Sequence, residues 1–464
     1  MATETVQWPA TAGFADLDAE VALDSIEVTG ELPGWLRGSL VRVTPAKFDT
    51  DGEHIRHWFD GLAMLHRFGF TNGRVSYANR FLRSDSYARA ERGERIGTGF
   101  ATDPCRAIFK RVQAVFSPDF YDNANVNLIQ LGERYVAMTE TPLPVEFDAR
   151  TLATLRRAKK APGHLTTAHP HYDRERGEAV NYAARLGARS TYRIYATDAD
   201  DRQRMIAKLP VREPAYMHSF GMTERHVVLA EYPLVVNPLK IALGAESFIE
   251  SYRWKPELGT RFRVVDRQTG KERFTAVGEP FFCFHHVNAW DDGDDVVVDL
   301  VAFDDASVID SLYIDRLRAG REQPRSQLRR YRLKPDGSAE GEVLLDHMLE
   351  LPRIDYARVN ARPHRIVYAA GGRGSDWLDQ VVKFDVETRA TTTWEEPGCY
   401  PGEPVFAGRP EREREDDGVV LSVVFDSREE RSFLLVLDAG SFTELARAQA
   451  PHHVPHSFHG QFFG

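Results

Sequence analysis

Several features that would assign a protein to a large functional class are scarce or missing from this sequence. Only three of its 464 residues are cysteines, Cys105, Cys283 and Cys399, and their wide separation excludes a CxxC metal or redox pair and fits a reducing compartment. Acidic residues outnumber basic ones by 69 to 59, and no basic stripe with interleaved aromatic residues is present, so we expect no nucleic-acid partner.

Membrane-spanning and secretory segments are missing as well. No apolar run approaches the roughly 18 residues that a transmembrane helix needs, and the N-terminus has neither the basic nor the apolar region of a secretory signal. A cytoplasmic protein is the expectation. With 42% hydrophobic and 28% charged residues, the chain has ample material for a core. Its length favours two or three domains, unless the whole chain forms one large closed β architecture.

One unit recurs along much of the chain: an apolar strand, an aspartate, a short turn and a returning strand. The aspartates of its six copies are Asp148, Asp198, Asp266, Asp336, Asp385 and Asp438. Intervals of roughly 50 to 70 residues between them are typical of a β-propeller with elaborated blades. A double-sheet protein in which hairpins recur by coincidence is the alternative. A further hairpin turn is predicted at residues 71–73, Thr-Asn-Gly.

Two stretches depart from this repeat. Residues 78–119 are rich in arginine and alanine and predict a helical insertion on the β scaffold. Residues 232–256 begin with an apolar run that suits either packing within such an insertion or contact with the interfacial layer of a membrane.

Four histidines occupy a matched position in the repeat, each about 20 residues after a turn aspartate. They are His169, His218, His285 and His459. Equivalent positions on successive blades face the same axis, so we expect the four imidazoles to converge there. A single histidine in an apolar strand is usually a satisfied core residue, but four in matched phase predict a metal site. Imidazole-only sites suit Fe, Cu, Zn or Ni, and the spacing does not choose among them.

Carboxylates that orient the ligating rings are expected around such a site. Glu403 and, less strictly, Glu350 occupy the same slot in two further repeats, and Glu140 lies at a comparable strand end. Each of these alone would read as a surface glutamate. His171 is two residues from His169 and is the fallback ligand, whereas His286 should face the opposite side of its strand from His285.

Taken together, these motifs resemble the carotenoid cleavage oxygenase family over essentially the whole chain. None is specific alone, but the combination is. The motifs that carry the resemblance are residues 31–38, residues 59–68, the four histidine stretches, residues 400–406 and residues 416–422. The resemblance implies one domain over residues 1–464, an all-β, seven-bladed propeller with a helical dome over an axial Fe(II). It also implies His169, His218, His285 and His459 as iron ligands, held by Glu140, Glu350 and Glu403.

Within that family, residues 122–127 and 139–141 look most like the branch of β-carotene oxygenases and retinoid isomerohydrolases. Members that cleave stilbenes carry a lysine shortly before the Ala124-Asn125 pair, and its absence here argues against hydroxystilbene substrates. Val126 resembles a side chain that crowds one open iron position, and Thr139 and Phe303 are expected to line the substrate path with it. Phe284 and Tyr313 are further candidates.

The activity implied by the resemblance is cleavage of a C=C bond in a carotenoid or apocarotenoid by dioxygen, giving carbonyl products such as retinal. Peripheral membrane contact is compatible with so apolar a substrate, and no protein partner is indicated. Two alternatives remain open. One is an isomerohydrolase that acts on a retinyl ester without dioxygen, and the other is a non-catalytic propeller that binds carotenoid around a structural metal.

Overall fold

Seven antiparallel sheets form the blades of a propeller, which confirms the predicted fold class. The computed structural model describes residues 9–96, 99–101, 121–238, 247–374 and 377–464. Blade 1 consists of the strands Ala22–Ile26, Gly38–Lys47, Leu62–Thr71, Arg74–Phe81 and Gly460–Phe463. Blade 2 consists of Asn127–Leu131, Arg134–Met138, Val145–Phe147 and Thr154–Arg157. Blade 3 consists of Leu165–Thr166, His171–Asp173, Glu178–Arg185, Ser190–Thr197 and Gln203–Val211.

The remaining four blades continue the order of the chain. Blade 4 consists of Gly221–Met222, His226–Glu231, Thr260–Asp266 and Glu272–Gly278, and blade 5 of His286–Asp292, Asp295–Phe303, Ser326–Leu333 and Ala339–Leu345. Blade 6 consists of Met348–Arg353, Ile366–Gly372, Gln380–Asp385 and Thr391–Glu395. Blade 7 consists of Cys399–Pro401, Val405–Gly408, Gly418–Asp426, Arg431–Asp438, Glu444–Gln449 and Val28–Gly30. An extra hairpin pairs Leu234–Val236 with Tyr252–Trp254.

Strand composition follows position within a blade. The strand Asp295–Phe303 is almost continuously apolar and buried, as expected for a strand that is covered on both faces by neighbouring blades. Fourth strands such as Thr391–Glu395 are polar and largely exposed. Polar, exposed edges discourage pairing with strands of other molecules.

All six repeat aspartates lie at the end of a strand or in the turn that follows it, before the outer strand of a blade. In blade 4, Oδ1 of Asp266 accepts hydrogen bonds from the backbone N–H groups of Gln268 (3.0 Å) and Thr269 (2.6 Å), and Gly270 closes the turn with φ +69°. The aspartate is therefore needed to satisfy the backbone of the tight turn, which explains its recurrence. The predicted turn at residues 71–73 is also present, between Leu62–Thr71 and Arg74–Phe81.

The two ends of the chain meet in neighbouring blades. The strand Gly38–Lys47 pairs on one side with Leu62–Thr71 and on the other with the last strand, Gly460–Phe463. Val28–Gly30 adds to the outer edge of blade 7 through Glu444–Gln449. Closure of the ring therefore depends on pairing between the first fifty and the last few residues.

Few helices accompany the strands in the described ranges. The α-helices are Asp85–Glu91, Ser307–Ser311, Ile314–Arg318 and Tyr356–Val359, and the 3₁₀ helices are Pro9–Phe14, Trp58–Asp60, Ile249–Ser251 and Pro256–Leu258. None of these helices combines the length and apolarity needed to cross a membrane.

The two predicted insertions are only partly described. Residues 78–81 still belong to the strand Arg74–Phe81, and Asp85–Glu91 is helical, whereas residues 97–98 and 102–119 lie outside the described ranges. In the second stretch, Tyr232 is 1% exposed and Leu234–Val236 is buried, while residues 239–246 lie outside the description. The described part of the apolar run thus packs into the core, and the boundaries of both insertions stay predictions.

Removal of residues 460–464 should lower the midpoint of thermal unfolding by several degrees, because it strips the strand that closes blade 1. Each lost backbone hydrogen bond costs about 1 kcal/mol, and the packing of Phe463 on Tyr135, with ring centroids 4.8 Å apart, is lost as well. Removal of Gly464 alone is the control and should leave the midpoint in place. Equal midpoints for both truncations would show that the closing strand contributes little.

Candidate metal centre

The four matched histidines come together at the propeller axis. Each lies just before the innermost strand of its blade: His169 in blade 3, His218 in blade 4, His285 in blade 5 and His459 in blade 1. One ligand nitrogen from each ring lies within 4.8 Å of the other three. The closest pairs are the Nε2 atoms of His169 and His218, 3.0 Å apart, and those of His285 and His459, 3.1 Å apart.

Three of the rings are oriented by carboxylates. Nδ1 of His218 donates to Oε1 of Glu140 (2.7 Å), Nδ1 of His459 donates to Oε1 of Glu403 (2.7 Å), and His285 bonds to Glu350 in the same way. The structure thus pairs each predicted glutamate with one histidine. These pairs could not be assigned from the sequence.

The protonation pattern that follows is the one a metal requires. Because an ionised carboxylate can only accept, Nδ1 of each paired ring carries the proton and Nε2 presents a lone pair to the centre. Burial and the neighbouring histidines lower the pKa of His169 far below its usual value, which favours the form that offers a lone pair to a metal. Lone pairs about 3 Å apart repel each other unless a cation lies between them, and that spacing suits adjacent nitrogens about 2.1 Å from one metal ion. The donor set therefore fits a transition metal.

Glu403 is the most deeply buried of the three glutamates, with no exposed surface. Burial acts to raise its pKa, but Arg353, His459 and Arg42 outweigh this effect and hold the pKa at about 2. Its Oε2 also accepts a hydrogen bond from the backbone N–H of Gly460 (2.8 Å). Glu403 therefore stays ionised and fixes both the ring of His459 and the peptide that follows it.

Glu140 and Glu350 are held by other contacts. The hydroxyl of Tyr216 donates to both carboxylate oxygens of Glu140, at 2.9 and 3.0 Å, and the N–H of Leu351 donates to Oε2 of Glu350 (2.8 Å). His169 differs, since no described carboxylate bonds to its Nδ1. Only its backbone is tied locally, through a hydrogen bond from its N–H to Oγ1 of Thr167 (3.0 Å).

An apolar cavity opens onto the centre. Three of the four histidines, His218, His285 and His459, form part of its wall, together with Glu350. Most of the remaining wall is aromatic or aliphatic. Among these residues are Trp58, Phe59, Phe284, Phe303, Val308, Leu312, Met348, Leu351, Trp377, Leu378 and Phe458. An apolar ligand in this cavity would lie next to a metal held by these imidazoles.

Two of the five predicted lining residues lie in the wall of this cavity. Phe303 and Phe284 line the cavity, whereas Val126, Thr139 and Tyr313 do not. Val126 instead accepts a hydrogen bond from the backbone N–H of His459 through its carbonyl (3.2 Å), and Thr139 lies 3.5 Å from Oδ1 of Asn125. Their predicted role in substrate contact remains untested.

Other histidines have partners of their own. Nε2 of His171 donates to the carbonyl of Phe220 (2.8 Å), which removes the fallback ligand from the centre, and Nδ1 of His286 lies 2.8 Å from Oγ of Ser219. Sequence reasoning missed Arg42 and Tyr216, which hold two of the glutamates. For Arg42, a charged residue within the apolar strand Gly38–Lys47 was the available signal.

Comparisons with known proteins give a matching family model and several similar relatives. The family model described as RPE65, retinal pigment epithelial membrane protein, matches residues 14–464. The mitochondrial carotenoid-cleaving dioxygenase of Macaca fascicularis is 33% identical over 94% of this chain and 91% of its own length. The β,β-carotene 15,15′-dioxygenase of Mus musculus is also 33% identical, over 94% of this chain and 88% of its own length.

A solved structure supports the fold independently. Cobalt-substituted Synechocystis ACO superimposes with a TM-score of 0.86 over 98% of both chains, at 24% sequence identity. At that identity the likeness concerns the fold alone.

Replacing His285 by alanine should strongly reduce the metal content of the purified protein, because it removes one of four converging nitrogens. His171→Ala is the matched control: it also deletes a largely buried imidazole of an inner strand, but one bonded to a carbonyl, so metal content should be retained. Metal per chain is measured by elemental analysis after reconstitution. Equal losses in both variants would contradict the assignment of the centre.

Glu403→Gln should weaken metal affinity by about 10–100-fold, the usual consequence of losing a carboxylate that orients a ligating imidazole. Glu231→Gln is the control, since Glu231 is 7% exposed and pairs with Arg261 and Arg263 but with no imidazole. Affinity is measured by competition with a chelator of known strength. If both glutamates prove equally dispensable, the carboxylate of Glu403 has no role in orienting His459.

Proposed function

Since the chain belongs to the RPE65/carotenoid oxygenase family, we propose that it is a non-haem Fe(II) dioxygenase that cleaves a C=C bond of a carotenoid or apocarotenoid. The products are carbonyl compounds, with retinal among them. The observation that carries the proposal is the apolar cavity with three of the four converging histidines in its wall. Such a cavity suits a long hydrocarbon far better than a polar metabolite.

In this proposal His169, His218, His285 and His459 hold the iron, and Glu140, Glu350 and Glu403 hold three of those rings. When bound, ferrous iron would supply the positive charge that activates dioxygen, and the four imidazoles would hold it without adding negative charge. The glutamates keep the Nδ1 protons in place, which preserves the four lone pairs at the centre.

The reaction balances without a further reductant. Dioxygen delivers one oxygen atom to each carbon of the double bond, both C–C bonds of that alkene break, and two C=O groups form. The conjugated alkene supplies the electrons that reduce dioxygen. No organic cosubstrate is therefore required. The protein's task is to bind the polyene, to orient it and to keep water out of the cavity.

Phe59 illustrates how the chain orients the cavity wall. Its ring centroid is 5.7 Å from that of His218 and 5.6 Å from that of Phe284. Its carbonyl accepts a hydrogen bond from Nδ2 of Asn125 (2.8 Å). Next to it, buried Asp60 accepts hydrogen bonds from the N–H groups of Phe100 (2.7 Å) and residue 101 (2.8 Å). These hydrogen bonds hold the backbone around Phe59 and so help to fix its ring beside the centre.

An apolar substrate of this class resides in lipid, so peripheral membrane contact is part of the proposal. The described half of the run predicted for that contact is buried, as Tyr232 and Leu234–Val236 show. Residues 239–246 of that run lie outside the described ranges, so their part in the contact stays a prediction. Dispersing the substrate in liposomes rather than detergent tests whether uptake from a bilayer is efficient.

The experiment that tests the activity is incubation of iron-loaded protein with β-carotene and with an apocarotenal, in air and without oxygen. We expect loss of visible absorbance and formation of aldehydes only in air, and neither in the His285→Ala variant. Pigment that stays bound and unbleached in air would favour a binding propeller. Turnover of a retinyl ester without oxygen would favour an isomerohydrolase, and either result would refute the dioxygenase.

A further inference from the structure

Arg42 is a fully buried arginine that points from the strand Gly38–Lys47 toward the C-terminal histidine. Its Nε and Nη2 donate to Oγ of Ser457, at 3.0 and 2.8 Å, and Nη2 also donates to the carbonyl of Phe458 (2.8 Å). Its Nη1 donates to the backbone carbonyl of Glu403 (3.1 Å). One guanidinium thus binds the two residues that precede His459 and the residue that holds its ring.

The side chain of Glu403 completes this connection. Nη1 of Arg42 lies 3.5 Å from Oε2 of Glu403, which also accepts from the N–H of Gly460 (2.8 Å). The other oxygen, Oε1, accepts from Nδ1 of His459 (2.7 Å). Arg42 therefore constrains the peptide on one side of His459, and Glu403 constrains both the ring and the peptide on the other side.

Space for the arginine is provided by a glycine directly opposite. Arg42 pairs with Gly460 across the two strands, and a Cβ at Gly460 would lie 2.7 Å from Cγ of Arg42 and 2.8 Å from the carbonyl oxygen of Val41. A larger residue at position 460 would collide with the backbone and displace the arginine. The site is thus shaped to hold the side chain in one position.

Filling buried space with a charged side chain is energetically unfavourable. Apolar residues of similar volume often stabilise a protein as well as a buried ion pair or better, so a fully buried guanidinium needs another explanation. Its planar fork can bind three acceptors at fixed angles, which a lysine cannot do. Burial lowers the pKa of Arg42 to about 10, which leaves it charged at neutral pH.

We propose that Arg42 is a positioning residue for the C-terminal metal ligand. By fixing residues 457–458 and Glu403, it sets the orientation of His459 and hence the affinity of the centre for its metal. The inference rests on the proposed metal site and adds a residue to it that does not touch the metal. Its prediction concerns metal affinity, which a role confined to stability would leave unchanged.

The test is titration of the metal-free protein with Co(II), whose visible absorption reports both affinity and ligand geometry. Arg42→Lys should weaken Co(II) binding by about tenfold, the lower end of the usual range for losing a residue that supports a metal ligand without touching the metal. It should also alter the absorption bands. Ser457→Ala removes an acceptor of Arg42 more gently and should act in the same direction by a smaller factor. It carries the test if Arg42→Lys does not fold.

Ser432→Ala is the matched control for Ser457→Ala. Ser432 is also fully buried and also contacts the C-terminal segment, since its Oγ accepts from the N–H of Val454 (2.8 Å), but it has no described contact with Arg42. Its substitution should lower thermal stability without changing Co(II) affinity or spectrum. Equal shifts of affinity in both serine variants would refute the specific role of Arg42.

A double-mutant cycle with Glu403→Gln shows whether Arg42 acts through that carboxylate. If it does, adding Arg42→Lys to Glu403→Gln should weaken Co(II) binding by much less than it does in the unaltered protein. Independent, additive losses would contradict a route through the Glu403 carboxylate and leave only the contacts with residues 457–458. If the unaltered protein binds no Co(II), the metal site itself is refuted. If it binds while Arg42→Lys and Ser457→Ala bind equally well, only the role of Arg42 is refuted.

Discussion

The hydrogen bond between a histidine Nδ1 and a glutamate is the interaction on which the centre depends. It is made three times, by His218, His285 and His459, and each time it fixes the tautomer that turns the Nε2 lone pair inward. Without these carboxylates the rings could rotate or exchange protons with one another at contact distance. An inward-facing set of lone pairs is unfavourable by itself, so the glutamates hold the centre ready for a cation.

Each of the seven blades contributes one residue to this set of four histidines and three glutamates. The histidines come from blades 1, 3, 4 and 5, and Glu140, Glu350 and Glu403 come from blades 2, 6 and 7. Two of the pairs join neighbouring blades, whereas Glu140 of blade 2 reaches past blade 3 to His218 of blade 4. His169 of blade 3, between them, is the ring with no described carboxylate partner. The symmetry of the fold thus places the residues near the axis, and side-chain length decides which of them meet.

The propeller and the convergence of the four histidines could be predicted because both follow from the repeat, whereas the number of seven blades was implied by the family resemblance. The turn aspartates recur since the same tight turn needs the same backbone acceptor, and histidines at a constant distance from them must share a level on the axis. Glu350 and Glu403 fall into the same slot for that reason. Glu140 does not follow this phase and was indicated by family resemblance. Which glutamate meets which histidine depends on the rotation between blades, which a linear spacing does not contain.

Other features were beyond the sequence for different reasons. Val126 resembles a lining residue, yet its carbonyl supports His459 and its side chain lies outside the described cavity wall. Arg42 stands out in the sequence only as a charged residue in an apolar strand, and the packing of blade 1 against blade 7 shows which groups it binds. The extent of a helical insertion has no such periodic marker, so residues 78–81 were assigned to it although they complete a strand.

Blade 1 links the stability of the fold to the geometry of the centre. Its closing strand begins at Gly460, directly after His459, so the pairing of Arg42 with Gly460 that closes the ring also sets the height of this ligand on the axis. The other three histidines are embedded in blades whose strands are continuous in sequence. His459 is preceded by residues 450–458, which belong to no strand, and is anchored on its other side by the short strand Gly460–Phe463 alone. Position must then be supplied by non-covalent contacts, and Arg42 and Glu403 provide them from two different blades.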